Sequence, residues 1–542
     1  MRLPPLAIRI LMLLPLLALA IFCVAYLAHD YDALARWYHS LPSSFYRKAQ
    51  WQRDFFTPET KRSGNLFCSL ALVGIAALAG VIGRQKFRKK RVDFRKLDPS
   101  FWILASVATV LGIWSATSLP PAADEAFSAK YVAGMHPLRA LSYYMLPNNH
   151  VLFNTLNAFV SNENNALWHG RIVSILAYIG SGLLAYQWFR EVISGKKTAL
   201  WLALLQLTIF PVWGFAGQAR GYELYLLAHW WTLLLVSRYL KTKDPQPLIW
   251  FPLAAMIGYG AVPTFLYFHV ALLAWMLYNN VAEKSASKAF WLAQPVAFAG
   301  AFLFYVPAMS FSGLGVLIGN RYVSGGPRVA IYELPPLGQY AIYFNGMGSG
   351  GLVLSILVFA LALSLLYRKR TRRWGILFTA LWAATGIVIL CMSQLPFHRN
   401  LTGIYSVSFA LACVGAANLF KKNKLDEFAK IPSRLAAGIS VLIGCALLYI
   451  NKGQLSDCLY FYPVRETAQR VEAEVLSKIP THSKVAFSEE AFLAETFWKR
   501  RGGAVVAVKN AAFLVQFASE KLVSQTDTLL AQSEDLQLYK RR

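Results

Sequence analysis

The sequence predicts an all-α, polytopic membrane protein with about thirteen transmembrane helices and a small external α/β domain at its C-terminal end. Composition is the first reason: of the 542 residues, 56% are hydrophobic and 15% are charged. The mean hydropathy is +0.42, which excludes a purely soluble enzyme. Long uncharged stretches recur as far as residue 451, and a different pattern follows them.

Each uncharged stretch of about 20 residues is long enough to cross the hydrocarbon core, and we interpret it as one span. The stretch 245–282 is too long for a single crossing and contains Gly258, Gly260 and Pro263, so it is predicted to form two helices. The remaining spans are 10–29, 63–83, 99–119, 172–189, 198–215, 221–237, 289–309, 346–367, 374–395, 401–420 and 435–451.

The basic residues predict the orientation. Lys and Arg number 54 against 27 Asp and Glu, a net charge of +27. The most basic loop, 84–96, is assigned to the cytoplasm because short cytoplasmic loops are enriched in Lys and Arg. The other basic clusters fall on the same side, at 196–197, 241–243, 368–373 and 421–424. The net charge therefore calls for no nucleic-acid partner.

The opposite side receives the intervals 30–62, 124–170, 310–345 and 396–400 and the tail from Lys452. An alternative for the first span is a cleaved signal peptide, because Arg2 and Arg9 precede its apolar core; the sidedness of the rest would not change. The six cysteines show no metal-site spacing and imply no disulfide framework.

The tail differs in pattern from the membrane spans. Apolar residues at helical spacing predict an amphipathic helix over 464–479. The segments 484–488 and 503–508 are typical of short buried strands, and 490–500 of a helix between them. Three regions follow: 1–98 with an N-terminal hairpin and the basic segment, 99–451 as the transmembrane core, and 452–542 as the external α/β domain.

The polar residues best suited to catalysis or substrate binding lie in the interval 124–170. Asp124 and Glu125 follow the third span, near the headgroup plane where the phosphate of a membrane-anchored substrate lies. The alternative interpretation is a solvated acidic pair at a helix end. Further polar residues follow along the chain, namely Arg139, Asn149, His150, His169 and Arg171.

Three motifs follow the acidic pair in order: NNHVLFNTL at 148–156, GRIVSILAYIG at 170–180 and QARGYELYLL at 218–227. This order resembles the GT-C superfamily, in its branch of protein O-mannosyltransferases and lipid A aminoarabinose transferases. These are polytopic glycosyltransferases that use polyprenyl-phosphate sugars. The resemblance covers about 99–420 and implies a GT-C-like fold. Residues 1–83 depart from it and form an added hairpin.

The resemblance also implies roles for individual residues. Asp124, in one acidic motif with Glu125, takes the place of the catalytic base. An N-H-P-L-like motif falls on 149–152, where Val151 replaces the usual Pro and His150 stands where some members have Lys. The R-x-Y motif falls on Arg220 and Tyr222. A late external arginine falls on Arg399.

The same residues make a coherent reaction from chemistry alone. A sugar that leaves a polyprenyl phosphate needs a base for the acceptor and fixed cations for the departing phosphate. Taken together with the resemblance, this chemistry predicts a donor-phosphate set of Arg171, Arg220, Tyr222, His398 and Arg399. It also predicts substrate contacts at Arg139, Asn149, His150 and His169. Attack opposite the phosphate inverts the anomeric centre. No cofactor is required, no metal ligands are assigned, and the sequence does not decide on a divalent metal.

Alternatives stay open. An arginine at a helix end can snorkel to lipid headgroups, and Glu223 can either orient Arg220 or form a structural pair with it. The G-x-G-x-x-G match at 346–351 is interpreted as a packing or hinge segment, because no strand precedes it.

Two other functions stay open as well. One is an oligosaccharyltransferase or glycan ligase with a lipid-pyrophosphate donor. The other is a transporter or lipid flippase, although such proteins typically carry functional charges near the membrane midplane. The donor sugar and the acceptor, whether lipid, glycan or protein, are left open. A bacterial cytoplasmic membrane is the expected location, with the site and the C-terminal domain outside.

Overall fold

The computed structural model describes fifteen stretches of the chain. They are 5–41, 56–84, 98–133, 136–144, 149–162, 165–193, 195–282, 288–318, 350–392, 398–420, 470–488, 491–501, 503–517, 527–532 and 536–541. The predicted span 435–451 and most of the basic loop 84–96 lie outside the described residues, as does most of the predicted external loop 310–345.

Helices make up almost all of the described residues before residue 421. The first eleven are α1 (Pro5–Ala28), α2 (Tyr31–Ser40), α3 (Pro58–Arg84), α4 (Pro99–Ser118), α5 (Ala123–Ser128), α6 (Pro137–Ser142), α7 (Val151–Val160), α8 (Ala166–Val192), α9 (Lys196–Thr208), α10 (Phe210–Ala216) and α11 (Tyr222–Thr242). A π-helical turn, Ala129–Ala133, continues α5.

The following helices are α12 (Gln246–Ala261), α13 (Phe265–Ala282), α14 (Lys288–Ser312), α15 (Leu314–Ile318), α16 (Gly350–Leu363), α17 (Arg372–Met392), α18 (Thr402–Phe420) and, in the tail, α19 (Phe492–Arg500). Short 3₁₀ turns lie at Ser364–Leu366, His398–Leu401, Leu476–Lys478 and Val508–Asn510, and a second π-helical turn at Val471–Val475. The strands are β1 (Val485–Phe487), β2 (Phe513–Phe517), β3 (Thr528–Gln532) and β4 (Leu536–Lys540).

The predicted all-α, polytopic architecture with a small C-terminal sheet is confirmed. Within the described residues, five helical segments are long and apolar enough to cross a membrane, and the chain is an integral membrane protein. They are Pro58–Arg84, Pro99–Ser118, Ala166–Val192, Lys288–Ser312 and Arg399–Asn418. The count of thirteen stays a prediction.

Two breaks interrupt the apolar stretches. The long stretch 245–282 forms two helices, as predicted, with α12 ending at Ala261 and α13 beginning at Phe265. The stretch 198–215 was expected to form one helix but forms two. Ile209 has extended backbone angles, and Pro211 lies in the first turn of α10, where it requires no backbone N–H. The break is therefore a consequence of the proline.

The N-terminal hairpin, α1 to α3, packs against the rest of the chain. Helix α3 lies against α1 and α14. Aromatic rings fill the contact: Tyr38 stacks on Phe311 with 4.2 Å between ring centroids, and Phe56 lies 4.8 Å from the same ring. The Tyr38 hydroxyl lies 2.9 Å from Ser142 Oγ on α6. The hairpin is thus attached to the interval 124–170 as well as to α14.

Helix α11 is the centre of the described membrane part. It packs against α8 and α12, and large aromatic side chains such as Trp188 and Trp230 fill the contact between α8 and α11. Both side chains are buried. The N-terminal ends of α8 and α11, the C-terminal end of α4 and the helix α5 come together at one end of this bundle. These ends position the candidate site.

The C-terminal sheet has the order β1-β2-β4-β3, with β1 and β2 parallel and the other pairs antiparallel. The predictions of a strand at 484–488 and a helix at 490–500 are confirmed by β1 and α19. The prediction of a strand at 503–508 is wrong, because there Val505 makes only an isolated bridge to Val485. Strands β2, β3 and β4 were not predicted.

Two expectations are described only in part. The predicted tail helix 464–479 is described from residue 470, where it consists of π and 3₁₀ turns. The segment 346–351 is described from Gly350, the first residue of α16.

Gly415 tests the packing of α18 on α16. A Cβ atom at Gly415 would overlap the backbone carbonyl of Leu361, which cannot move without the helix. Gly415→Ala is expected to lower the free energy of unfolding by about 1–3 kcal/mol, as overpacking does. The measurement is the thermal unfolding midpoint of the purified protein in detergent.

Gly386→Ala is the matched control, because nothing lies within 4 Å of a Cβ atom at that position. The control is expected to be neutral or slightly more stable than the wild type. Equal midpoints for the two variants would contradict the described contact between α16 and α18.

Candidate active site

The acidic pair lies in the first turn of α5, immediately after the end of α4. Negative side chains are favoured there by the partial positive charge of a helix N-terminus. Successive helical residues point about 100° apart. Asp124 and Glu125 therefore face different surroundings, and the structure gives them different partners.

Asp124 lies between two arginines that are distant in sequence. Arg399 Nη1 is 3.0 Å from Asp124 Oδ2, and Arg220 Nη2 is 3.9 Å from the same oxygen. The Asp124 side chain is 28% exposed, against 14% for Arg399 and 3% for Arg220. This trio, Asp124, Arg220 and Arg399, thus places two guanidinium groups beside a partly exposed carboxylate.

Arg220 is held by α5 as well. Its Nη1 donates to the backbone oxygen of Asp124 at 3.1 Å and to Ser128 Oγ at 2.8 Å. Ser128 was not singled out from the sequence, although its place four residues after Asp124 puts it on the same face of the helix. The expectation that Glu223 orients Arg220 is wrong. Glu223 is fully buried, and within the described part of the chain its carboxyl oxygens have no hydrogen-bond partner.

Arg399 lies on the 3₁₀ turn His398–Leu401, directly before α18. Tyr225 donates to the backbone oxygen of Asn400 at 2.7 Å, and Thr264 Oγ1 donates to the same oxygen at 3.4 Å. Helix α11 and the turn that precedes α13 thus fix the turn that carries Arg399. The side chain of His398 lies outside the described part of the structure.

Glu125 and Arg171 form a separate, buried ion pair. Arg171 Nε lies 2.8 Å from Glu125 Oε1, and Nη2 lies 3.0 Å from Oε2. The side chains are 0% and 2% exposed, respectively. Arg171 also donates to the backbone oxygens of Ala116 and Leu119 at the end of α4. The backbone N–H of Ala219 donates to Glu125 Oε1 at 2.7 Å.

The structure brings Glu125 and Arg171 together as an ion pair inside the protein, where each supports the packing of its neighbours. Their catalytic and phosphate-binding roles stay predictions. Each group finds several partners, as buried charges require.

His150 and Tyr222 lie beside the arginines. The Nδ1 atom of His150 is 2.9 Å from the backbone oxygen of Ala261, and its ring meets that of Tyr222 edge-on at 4.7 Å. Burial, and then the charges of Arg220 and Arg399, hold the pKa of His150 well below its ordinary value. The imidazole is therefore neutral and adds no charge to the site.

The other predicted substrate contacts have structural partners. Asn149 donates to the backbone oxygen of Tyr143 and accepts from Asn154 Nδ2 at 2.7 Å. His169 Nδ1 is 2.8 Å from the backbone oxygen of Val160. These contacts join α6 to α7 and α7 to α8, respectively.

Arg139 contacts the N-terminal hairpin. Its guanidinium lies 4.6 Å from the centre of the Tyr38 ring and donates to the backbone oxygen of Tyr38. This contact attaches the hairpin to α6, and the substrate-binding role of Arg139 stays a prediction. Among the described residues, no group of three or more His, Cys, Asp or Glu side chains could hold a metal ion.

The buried pair is open to a direct test. Glu125→Gln leaves Arg171 buried without its counter-ion and is expected to lower the free energy of unfolding by about 3–5 kcal/mol. The double variant Glu125→Gln with Arg171→Met removes both charges and is expected to recover most of that loss. Thermal unfolding in detergent measures both. A single variant as stable as the wild type would contradict the structural role.

No protein-family model matches the chain, and no curated protein sequence is significantly similar to it. Among solved structures, ArnT from Cupriavidus metallidurans bound to undecaprenyl phosphate is similar at 11% identity, with 81% of this chain and 97% of that chain covered and a TM-score of 0.50.

Two further structures are similar over less of their length. The archaeal oligosaccharyltransferase AglB from Archaeoglobus fulgidus, in complex with an inhibitory peptide and a dolichol-phosphate, is 12% identical, with 77% and 69% covered and a TM-score of 0.44. The arabinosyltransferase EmbB from Mycobacterium smegmatis is 15% identical, with 71% and 45% covered and a TM-score of 0.39. The likeness to ArnT confirms that the chain has the GT-C fold that its motifs predicted.

Proposed function

We propose that the protein is a membrane glycosyltransferase that moves a sugar from a polyprenyl-phosphate donor to an acceptor on the external face of the membrane. The fold supports this proposal, because ArnT has been solved with undecaprenyl phosphate. A bacterial cytoplasmic membrane is the proposed location. The region 99–451 is the proposed catalytic core.

One observation carries the proposal, the trio of Asp124, Arg220 and Arg399. Its carboxylate is the most exposed of the three side chains, and guanidinium groups lie 3.0 Å and 3.9 Å from it. Guanidinium groups bind phosphate in a bidentate manner, so the two arginines are suited to hold the donor phosphate. A phosphate and a base are the two components that glycosyl transfer from a lipid phosphate requires.

The reaction balances with these groups alone. The acceptor oxygen forms a bond to the anomeric carbon while the bond from that carbon to the phosphate oxygen breaks. Asp124 takes the proton of the acceptor hydroxyl, and the phosphate departs with the electron pair of the broken bond. Attack opposite the phosphate inverts the anomeric configuration. Arginine charges near the departing oxygen stabilise the negative charge that develops in the transition state.

The two arginines differ in how they are held. Arg220 is buried and bonded to the backbone of α5 and to Ser128. Arg399 is more exposed and pairs with the Asp124 carboxylate. A donor phosphate would compete with Asp124 for Arg399, and its binding would release the carboxylate for proton transfer. Tyr222 and the neutral His150 shape the wall behind Arg220.

Asp124→Asn is expected to reduce sugar transfer by about 10²- to 10⁴-fold, the usual contribution of a general base. The measurement follows radiolabelled sugar from a polyprenyl-phosphate sugar into product, with the purified protein in liposomes. The same liposomes report sugar that crosses the membrane without a glycosidic product, which is the result expected of a transporter.

Asp98→Asn is the matched control. Asp98 caps the N-terminal end of α4, whereas Asp124 follows the C-terminal end of the same helix. Asp98 also pairs with Arg190 and Lys196. This control is expected to transfer sugar within about threefold of the wild type, as surface ion pairs contribute little. Transfer by Asp124→Asn at the rate of this control would remove Asp124 from its proposed role.

Arg399→Gln is expected to weaken binding of sugar-free polyprenyl phosphate by roughly 10- to 100-fold, because a charged hydrogen bond to phosphate is lost. Equilibrium binding of radiolabelled undecaprenyl phosphate to the purified protein measures this. Arg368→Gln, an exposed arginine in the turn before α17, provides the control and is expected to bind as the wild type does. Unchanged binding by Arg399→Gln would contradict its role.

A further inference from the structure

The segment that carries Asp124 also contacts the C-terminal sheet region. Helix α5 continues without interruption into the π-helical turn Ala129–Ala133, and α19 packs against α5. π-Helical turns are rare, and they occur frequently at functional sites. The catalytic segment, defined as 123–133, is therefore held between the membrane helices and the tail.

An ion pair joins the catalytic segment to α19. The Lys130 ammonium contacts Glu495 Oε2, and Lys499 Nζ lies 2.9 Å from Glu495 Oε1. The Glu495 side chain is only 9% exposed. Burial alone would raise the pKa of Glu495, but Lys130 and Lys499 lower it below its ordinary value. The carboxylate is charged and largely buried, so loss of its partner Lys130 costs more than the loss of a partner in a surface ion pair.

The helix that presents Glu495 is itself firmly packed. Phe497 and Trp498 lie in the buried core of the sheet region together with Val515 and Leu538. Trp498 Nε1 donates to the backbone oxygen of Ala504 at 3.1 Å. Glu495 is thus a fixed point for Lys130.

The catalytic segment is therefore anchored at two points. At its N-terminal end, Glu125 binds Arg171 and Ala219, and Arg220 binds the Asp124 backbone. Beyond its middle, Lys130 binds Glu495. Lys130 lies six residues after Asp124. A shift at this anchor moves the same continuous helical segment on which Asp124 lies.

We infer that Glu495, acting through Lys130, is a positioning residue for Asp124, and that the C-terminal sheet region is a fixed part of the active site. This inference rests on the proposed function for its catalytic consequence, but the anchoring itself is measurable without any activity. Misplacement of a catalytic group by about 1 Å can slow a reaction by as much as 10²-fold, so a small shift of α5 is sufficient.

The test compares Glu495→Gln with Lys499→Gln in the full-length protein. Glu495→Gln is expected to speed hydrogen–deuterium exchange of the backbone amides in 123–133 while the strands 485–487 and 513–517 exchange as before. It is expected to lower kcat for sugar transfer by about 10- to 100-fold, with KM for the donor unchanged because Arg220 and Arg399 are intact. Lys499→Gln removes only a contact within α19 and is expected to change kcat by less than about twofold.

Charge reversal separates positioning from folding. The variants Lys130→Glu and Glu495→Lys are each expected to behave as Glu495→Gln, and the double variant is expected to restore exchange and most of kcat. Unchanged exchange in 123–133 would overturn the inference. Faster exchange in the strands as well, without restoration in the double variant, would also overturn it. If the wild-type protein is protected from hydrogen–deuterium exchange at 123–133 but transfers no sugar, this result contradicts only the proposed function.

Discussion

The geometry of the site depends on the buried ion pair between Glu125 and Arg171. Neither charge reaches solvent, so each must be satisfied within the protein. Their partners are the last carbonyl groups of α4 and the N–H of Ala219. Glu125 adjoins Asp124 in sequence, and Ala219 adjoins Arg220. A single pair thus sets the positions of two of the three members of the proposed active site.

The two carboxylates of the acidic pair therefore lie in different environments. One carboxylate is buried and fully bonded, and the neighbouring carboxylate is partly exposed beside two arginines. The helical rotation of about 100° per residue is what separates them. The rigid ion pair of Glu125 and Arg171 lies directly beside Asp124, the proposed base. It holds Asp124 in position without requiring the Asp124 side chain to make further bonds. Such preorganisation is what electrostatic catalysis needs.

Much of the membrane architecture could be predicted from the sequence, because hydrophobic length and charge are local properties. The break at 262–264 was visible in Gly258, Gly260 and Pro263, whereas the break at Ile209 was overlooked although Pro211 marked it. The proximity of Asp124 to Arg220 and Arg399 followed from their sidedness and from a family resemblance. The different surroundings of Asp124 and Glu125 could not be predicted, because an acidic residue suits a partly exposed site beside arginines as well as a buried ion pair.

The contacts that the sequence did not reveal join distant parts of the chain. Lys130 and Glu495 are 365 positions apart, and no local pattern connects them. The contact between Arg139 and Tyr38 was not predicted, because a buried stacking partner leaves no periodic pattern in the sequence. The strands β2 to β4 have only five residues each, and β3 is mostly exposed, so hydrophobicity alone did not distinguish them from loops.

The N-terminal hairpin has a consequence for how a bilayer lipid reaches the trio. Helix α3 covers one side of α14, and Tyr38 is fixed to both Phe311 and Arg139. That flank of the protein is occupied by its own chain. For the proposed polyprenyl-phosphate donor, this leaves lateral approach of the hydrocarbon tail from another flank, and the hairpin would restrict the directions from which the headgroup enters.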